Sequence, residues 1–256
     1  DYEKYTSNSV SLNGDSEKII FNNDSLSFQS PIDNDLLAKG FIFKPLSQAL
    51  IEHGDLIQSY FMKEEPKLGS DKFYRLNQAR QKEGYFVYIP EGLSIPKPIE
   101  VFNWISGKDS AIFPYNLIVS GKGSEVSVAE YVASADDQFG LVCGVSDLIA
   151  EDDSKLTYVR TQNLSEKAHS IQLSNVLSHN NSKVKNFSLN LGCEWLRHES
   201  VSRLLGKGAN SEMISVSVPE SSQEFDMRTL QLHEKPSTSS DLLYKNALYD
   251  ESKTTF

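Results

Sequence analysis

Residues 121–132, GKGSEVSVAEYV, combine a glycine-rich turn with the alternating pattern of a β-strand. The turn leads into Ser124-Glu125-Val126, a serine followed by an acidic or basic residue and then an aliphatic one. The same kind of tripeptide recurs after turn-forming residues at Ser154-Lys155-Leu156, Ser182-Lys183-Val184 and Ser211-Glu212-Met213. Its serines are 30, 28 and 29 residues apart. An even period in this range predicts a β-solenoid, in which each coil buries its inner face on its neighbours.

Other short alternating segments support a mainly β chain, among them NLIVSG, KLTYVRT, SIQLSNV, NFSLNLG and EMISVSV. An immunoglobulin-like sandwich is the alternative all-β interpretation, but it gives no reason for the even spacing. Ser252-Lys253-Thr254 is predicted to be a fifth, irregular occurrence of the step, reached after an excursion through HEKPSTSS. The β-solenoid is therefore expected over residues 85–256, incomplete at its C-terminal end.

Residues 1–84 are predicted to form an N-terminal region with a polar lead-in and two short helices. The apolar step Ile19-Ile20-Phe21 fits one or two short strands. The first helix is expected within SQALIEHGDLIQSYF (47–61), with Gly54 as a weak point or break. The second is expected within DKFYRLNQARQKEG (71–84), with Asp71 as N-cap and Gly84 as C-cap. Its apolar side is predicted to comprise Phe73, Leu76 and Ala79.

After Gly84 the sequence YFVYIPEGLSIPKPIEVFNWI (85–105) contains Pro90, Pro96 and Pro98 among β-branched and aromatic residues. Proline removes a backbone donor, so helix is excluded here and extended, edge-like segments are expected.

Composition excludes several classes of protein. The chain has 256 residues and a net charge of −10, whereas binding of nucleic acid requires a concentration of lysine and arginine. No apolar run of 18 residues is present, so no membrane span is predicted. Two cysteines are too few for a disulfide framework, and the polar start lacks the apolar region of a signal peptide. A cytoplasmic location is therefore expected.

The two GKG segments, at Gly121 and Gly206, resemble part of a phosphate-binding loop. That loop needs a glycine five residues before its Gly-Lys pair, and Asn116 and Val201 stand there instead. Both segments are therefore predicted to be turns. The acidic pairs Asp136-Asp137 and Asp152-Asp153 are likewise expected in solvated turns.

The segment LGCEWLRHES (191–200) is the nearest approach to a metal-binding cluster, with Cys193, Glu194, His198 and Glu199. Residues an odd number apart on a strand point to opposite faces, so Cys193 and His198 are not expected to converge. The alternative is a small apolar cysteine in the core and a surface histidine. Cys143 lies 50 residues from Cys193, and the remaining histidines, His169, His179 and His233, lack ligand spacing. No catalytic or cofactor-binding residue is predicted, and metal binding is left open.

Three stretches carry a resemblance to a known family: AKGFIFKPLSQAL (38–50), FYRLNQARQKEGYFVYIPEGLSIPKPIEV (73–101) and HEKPSTSSDLLYKNALYDESKTTF (233–256). Together they resemble the SufB/SufD family of the SUF iron–sulfur cluster assembly system, and the repeat suits that family's right-handed parallel β-helix. The chain is poor in cysteine and its segment LNQARQKEGYF is more similar to SufD than to SufB.

The resemblance implies a non-catalytic scaffold subunit that pairs with a SufB-like subunit and associates with a SufC-like ABC ATPase. An iron–sulfur cluster or iron would be held only transiently in the full complex, with no cofactor in this chain. Family members continue well past the equivalent of Phe256, through a His-Gly-Ala motif and a helical domain that docks SufC. We therefore expect the ATPase-docking region to be missing here and a homodimer to be possible through the open coil end.

A β-solenoid carbohydrate-binding or polysaccharide-lyase-like protein is the alternative function. Such a protein would carry rows of acids and bases, often with calcium-binding aspartates, and would usually be secreted. The helical lead-in and the lack of a signal peptide oppose it.

Overall fold

Within residues 16–256, which the computed structural model describes, the chain forms four helices and seventeen strands. The helices are α1 (Asn34–Ala38), α2 (Leu46–Glu52), α3 (Gly54–Gln58) and α4 (Asp71–Arg80). The strands are β1 (Lys18–Asn22), β2 (Ser25–Gln29), β3 (Ile42–Pro45), β4 (Gly84–Ile89), β5 (Ile99–Ile105), β6 (Ser110–Ile112), β7 (Tyr115–Ser120), β8 (Glu125–Ser134), β9 (Gly140–Ala150), β10 (Lys155–Asn163), β11 (His169–Ser178), β12 (Lys183–Asn190), β13 (Trp195–Leu204), β14 (Asn210–Ser217), β15 (Glu224–His233), β16 (Ser239–Asn246) and β17 (Lys253–Thr255).

These strands build two long sheets that share one interior. The first sheet has the order β16-β14-β12-β10-β8-β5-β1-β2, and the second has the order β17-β15-β13-β11-β9-β7-β4-β3. From β7 onward successive strands alternate between the sheets, and each pairs in parallel with the next strand of its own sheet. The result is a parallel β-helix of about six turns. The predicted β-solenoid is confirmed, and the sandwich alternative, which requires antiparallel sheets, is wrong.

The predicted repeat marks the corners that precede β8, β10 and β12. Ser124, Ser154 and Ser182 lie there with buried side chains, and Lys155 pairs with both Glu125 and Lys183. The fourth tripeptide is out of register. Val184 pairs with Ser211, so Ser211 lies inside β14 at the position of the aliphatic residue, and the coil is 27 residues long. A shift of two residues preserves the inward and outward alternation, which is why the tripeptide pattern does not reveal it.

The expected fifth step at Ser252 is also wrong. Lys253 pairs with Glu224 of β15, so the last strand belongs to the second sheet. The strand that continues the first sheet is β16, whose Ser239 pairs with Asn210. HEKPSTSS is therefore the corner before β16 and the start of that strand, and no excursion occurs.

The N-terminal elements extend both sheets. The hairpin of β1 and β2 adds to β5, and β3 adds to β4, which confirms the short strands expected near Ile19. The part of the lead-in before residue 16 lies outside the described residues. Gly54 separates α2 from α3, as expected for a break. The division into residues 1–84 and 85–256 stays a prediction.

Helix α4 departs from its expected details. Its N-cap is Ser70, whose hydroxyl donates to Glu199 instead of capping the helix, and its C-cap is Gln81. The buried side is formed by Tyr74 and Asn77, whereas Leu76 is exposed. Asn77 faces the sheet because its amide donates to two strand-end carbonyls, those of Pro114 at 3.0 Å and Cys143 at 2.8 Å.

Gly84 opens β4 instead of capping a helix. A Cβ atom there would lie 1.9 Å from the carbonyl oxygen of Tyr115, so the close pairing of β4 with β7 requires glycine. The expectation of edge-like segments around the prolines is wrong, because β5 lies between β1 and β8 and is buried along its whole length. The prolines themselves fall outside the ladders of β4 and β5.

Two large apolar clusters hold the molecule together. One fills the interior of the first coils with inward residues such as Val101, Val128 and Leu156. The other lies on the outer face of the second sheet, where α2, α3 and α4 cover Val145 and Ile171. The helices thus act as a lid on one outer face of the solenoid.

Candidate functional site

Cys193 and His198 do not form a site. Cys193 lies in the corner before β13, in an apolar cluster with Leu164 and Leu196. His198 points into the coil and is 3% exposed, so the expectation of a surface histidine is wrong. Burial, with Arg160 nearby, lowers the pKa of His198 to about 3, and its Nε2 lies 3.2 Å from the Ser200 hydroxyl. The imidazole is therefore neutral at physiological pH.

The two cysteines lie in separate surroundings and both are free. Cys143 points outward from β9 beneath α4, with its Sγ 3.5 Å from the carbonyl oxygen of Phe73. Burial raises the pKa of Cys143 to about 12 and raises that of Cys193 as well. Because the thiolate is the nucleophile and the metal ligand, neither cysteine is reactive at neutral pH in this fold.

The remaining candidates lie where solvated turns or isolated pairs were expected. Both GKG segments are turns, and Asp137 binds Lys167 at 2.7 Å in an exposed corner. Asp152 accepts hydrogen bonds from Asn180 in another corner. His169 contacts Glu194 at 3.3 Å, and His233 contacts Thr238 and Ser240. In residues 16–256 no three of the histidine, cysteine, aspartate and glutamate side chains group into a set able to hold a metal ion.

The chemistry of the interior is concentrated around Glu130. Its carboxylate is fully enclosed and accepts hydrogen bonds from the amides of Asn103 at 2.7 Å and Asn116 at 3.0 Å. The hydroxyl of Tyr158 also donates to it, and burial beside this carboxylate raises the pKa of Tyr158 well above its ordinary value. Four strands, β5, β7, β8 and β10, therefore supply one buried anionic network.

Arg160 is the cation beside this network. It is paired in register with Glu130, is 2% exposed and has its Nε 3.9 Å from the glutamate carboxylate. No described group accepts a hydrogen bond from its Nε or Nη1. A buried cation held by one loose ion pair stabilises nearby anionic or polar groups and disfavours further positive charge, as the pKa of His198 shows.

The polar interior continues along the coil axis. Gln172 donates to Ser146 at 3.0 Å, Ser188 donates to Ser215 at 2.9 Å, and Asn190 donates to Ser217 at 3.2 Å. The sequence analysis did not single out this row. A signal was present, because Glu130 has the inward parity of Val126 and Val128, and Arg160 follows it by the 30-residue period.

A groove lies between the helical lid and the second sheet. It encloses about 280 Å³ and is lined by Tyr60, Glu64, Asp147, Glu151 and Leu177, among others. Asp147 is fully buried, accepts hydrogen bonds from Tyr115 at 2.6 Å and Asn175 at 2.8 Å, and its burial raises its pKa to about 6. The groove therefore has a titratable carboxyl at its back.

Arginines fasten the segment between α3 and α4 to the coils. Arg203 donates to both carboxylate oxygens of Glu64 at 2.8 Å and to Glu234 at 2.7 Å. Arg228 donates to the carbonyl of Leu68 at 3.0 Å. A second group links Arg197 to Glu199 and Asp226. These contacts explain why the groove is bordered on one side by a fixed loop.

No helix among residues 16–256 is long and apolar enough to cross a membrane.

The fold and its interior define a parallel β-helix protein with a helical lid and a polar core. Comparison with protein families identifies the class further. Residues 103–256 match the SufBD core domain of the SUF system for iron–sulfur cluster assembly, and residues 8–101 match the N-terminal region of SufBD proteins. The chain belongs to the SufB/SufD family, as the sequence resemblance predicted.

Similar proteins carry the description iron–sulfur cluster assembly SufBD family protein. Those of Staphylococcus epidermidis and Staphylococcus haemolyticus are 26% identical to this chain over 226 residues, and that of Staphylococcus aureus is 25% identical. In each case the match covers 88% of this chain and 48% of the relative. The chain thus spans about half the length of the curated relatives it matches. Family membership favours a role in iron–sulfur cluster assembly over the carbohydrate-binding alternative.

Proposed function

We propose that this chain is a non-catalytic, SufD-like scaffold subunit of a SUF iron–sulfur cluster assembly complex. The observation that carries the proposal is the match to both family regions in their natural order, on a parallel β-helix whose only two cysteines are buried.

The buried cysteines support the SufD-like assignment. A subunit that receives sulfur or holds a nascent cluster needs an accessible thiolate, and burial raises the pKa of both thiols far above neutrality. In this proposal a SufB-like partner supplies the reactive thiolates, and this chain supplies shape and support. Iron and sulfide are then cargo of the complex.

The partners follow from the same proposal. A SufB-like subunit pairs with this protein, and a SufC-like ABC ATPase docks on the portion that the longer relatives possess beyond this length. The complex works in the cytoplasm and binds no nucleic acid, in keeping with a net charge of −10.

Co-expression of the natural-length protein with SufB-like and SufC-like proteins from the same genome tests the partnership. We expect a tag on this protein to recover both partners. Failure to recover either partner, with all three proteins folded, contradicts the proposal.

A second arm tests the scaffold role with the double variant Cys143→Ala and Cys193→Ala. If this subunit only supports assembly, the complex forms and yields the same amount of cluster, measured by its visible absorption. A large loss of cluster from an intact complex would show that these thiols take part in the chemistry.

A further inference from the structure

The outer face of the first sheet carries an uncovered apolar row. Val159 pairs with Phe187, Phe187 with Ile214, and Ile214 with Leu243, so these side chains form one line across β10, β12, β14 and β16. Leu189 and Val216 form a second, shorter line beside it. All six side chains are partly open to solvent, and Leu243 is 46% exposed.

The second sheet shows how this molecule treats such a face. Its outward residues Val145, Ile171 and Leu173 are buried beneath α2, α3 and α4. The equivalent apolar residues of the first sheet have no helix over them within residues 16–256. A contiguous apolar patch with a polar border is the mark of a binding surface.

Charges along one border of the patch are ordered. Lys155, Lys183 and Lys185 lie on β10 and β12, whereas Glu212 and Asp241 lie on β14 and β16. Lys185 binds Glu212 at 3.1 Å, but Lys183 and Asp241 have no ion-pair partner in the described part of the chain. The border is therefore positive toward one end of the coil axis and negative toward the other.

We propose that this face, β10 to β16, binds the same face of a second copy with the two coil axes antiparallel. A two-fold axis parallel to the strands, between β12 and β14, reverses the order of the coils and keeps the position along each strand. Phe187 then lies opposite Ile214 of the second copy, and Val159 lies opposite Leu243. The lysines of one copy face Glu212 and Asp241 of the other.

The charge order selects this arrangement over the other two-fold packing. A two-fold axis parallel to the coil axis would place the lysine border against the Leu189 and Val216 line, which would desolvate lysines without partners. Antiparallel axes pair unlike charges and stack the apolar rows, with the strands of the two copies aligned within about 30°, as in ordinary sheet packing.

The size of the face predicts a reversible dimer. Five strands about 4.8 Å apart give a face roughly 20 Å wide, which is small compared with the ~800 Å² per partner of a standard stable interface. Dissociation is therefore expected within the micromolar range that sedimentation experiments cover. The inference does not depend on the proposed role in cluster assembly.

Mixed cysteine variants of the natural-length protein test the arrangement directly. Val159→Cys and Leu243→Cys are made separately, mixed and oxidised under mild conditions. We expect a disulfide-linked dimer from the mixture and little from either variant alone, because each cysteine faces the other kind in the second copy. Wild-type protein is the blank, since Cys143 and Cys193 are buried.

Sedimentation provides the second measurement. Ile214→Asp is expected to weaken self-association at least about tenfold, because it places an aspartate opposite Phe187. Ile51→Asp is the matched control, since Ile51 is 86% exposed on α2 away from this face. Linkage of Leu243→Cys to itself would indicate end-to-end contact instead. Either that result or a wild-type protein that stays monomeric throughout the micromolar range would overturn the proposal.

Discussion

Arg160 lies in register with Glu130 on the neighbouring coil, with its Nε 3.9 Å from the glutamate carboxylate and both side chains inside the solenoid. The carboxylate satisfies its oxygens with Asn103, Asn116 and Tyr158, whereas the guanidinium depends on the charge itself. The pair therefore controls the electrostatics of the interior.

Glu130→Gln should destabilise the protein by about 3 kcal/mol, because it leaves Arg160 as an uncompensated buried charge. Adding Arg160→Met should recover at least about 1 kcal/mol of this loss, since the second change removes the stranded cation. Urea unfolding followed by circular dichroism measures both values.

The same two strands offer a matched control. Lys155 and Glu125 are also in register and form an ion pair of 3.0 Å, but both are exposed. Glu125→Gln should change stability by less than about 1 kcal/mol. Equal effects at Glu125 and Glu130 would contradict the assigned role of burial.

Asp147 should make stability depend on pH. Its pKa is raised by burial from 3.8 to about 6, so the folded state binds a proton more tightly than the unfolded state does. Its contribution is therefore most favourable below pH 3.8 and is lost as pH rises through about 6. The difference between 3.8 and about 6 corresponds to roughly 3 kcal/mol.

Asp147→Asn removes this titration and is nearly isosteric. We expect the stability of the variant relative to wild type to rise between pH 4 and pH 7. Asp137→Asn is a control of opposite sign, because hydrogen bonds from Lys167 and Ser165 lower the pKa of Asp137. A pH-independent difference for the Asp147 variant would show that this carboxyl is not the titrating group.

Arg203 should hold the segment between α3 and α4 against the coils. Arg203→Met removes three hydrogen bonds to Glu64 and Glu234 and leaves Glu64 half-buried without its partner. Local opening should increase about tenfold, for a loss of about 1.4 kcal/mol. Limited trypsin digestion reports this as faster cleavage after Lys63 and Lys67.

Lys253→Met is the control for that digestion, since the pair of Lys253 with Glu224 is exposed and distant from the segment. Unchanged cleavage in the Arg203 variant would mean that the apolar contacts of Phe61 and Tyr74 alone hold the segment in place.

Gly84→Ala should prevent normal folding or cost more than about 3 kcal/mol. The new methyl group would overlap the Tyr115 carbonyl, and the strand pair of β4 and β7 would have to separate. Gly54→Ala is the matched control, because a Cβ atom there meets nothing within 4 Å and α3 gains a better helix former. The thermal unfolding midpoint distinguishes the two, and equal midpoints would refute the argument.

Part of the candidate site could have been predicted from the sequence. The alternation of β8 and β10 gives Glu130 and Arg160 the inward parity of their aliphatic neighbours, and the 30-residue period places them side by side. The burial of His198 could not be predicted in the same way, because a lone histidine carries no strong preference for either face. Its neutrality depends on Arg160 from another coil.

The sequence by itself determined the alternating strands, the turn-rich corners and the stacked serines of the first three coils, because these depend on local conformation and on a period of two residues. The tertiary structure alone decided the two-residue shift at Ser211, the sheet that Lys253 joins and the face that α4 buries. Alternation fixes which side of a sheet a residue faces, but it does not fix which residue lies beside it on the next coil. That pairing is settled by the packing of the whole interior.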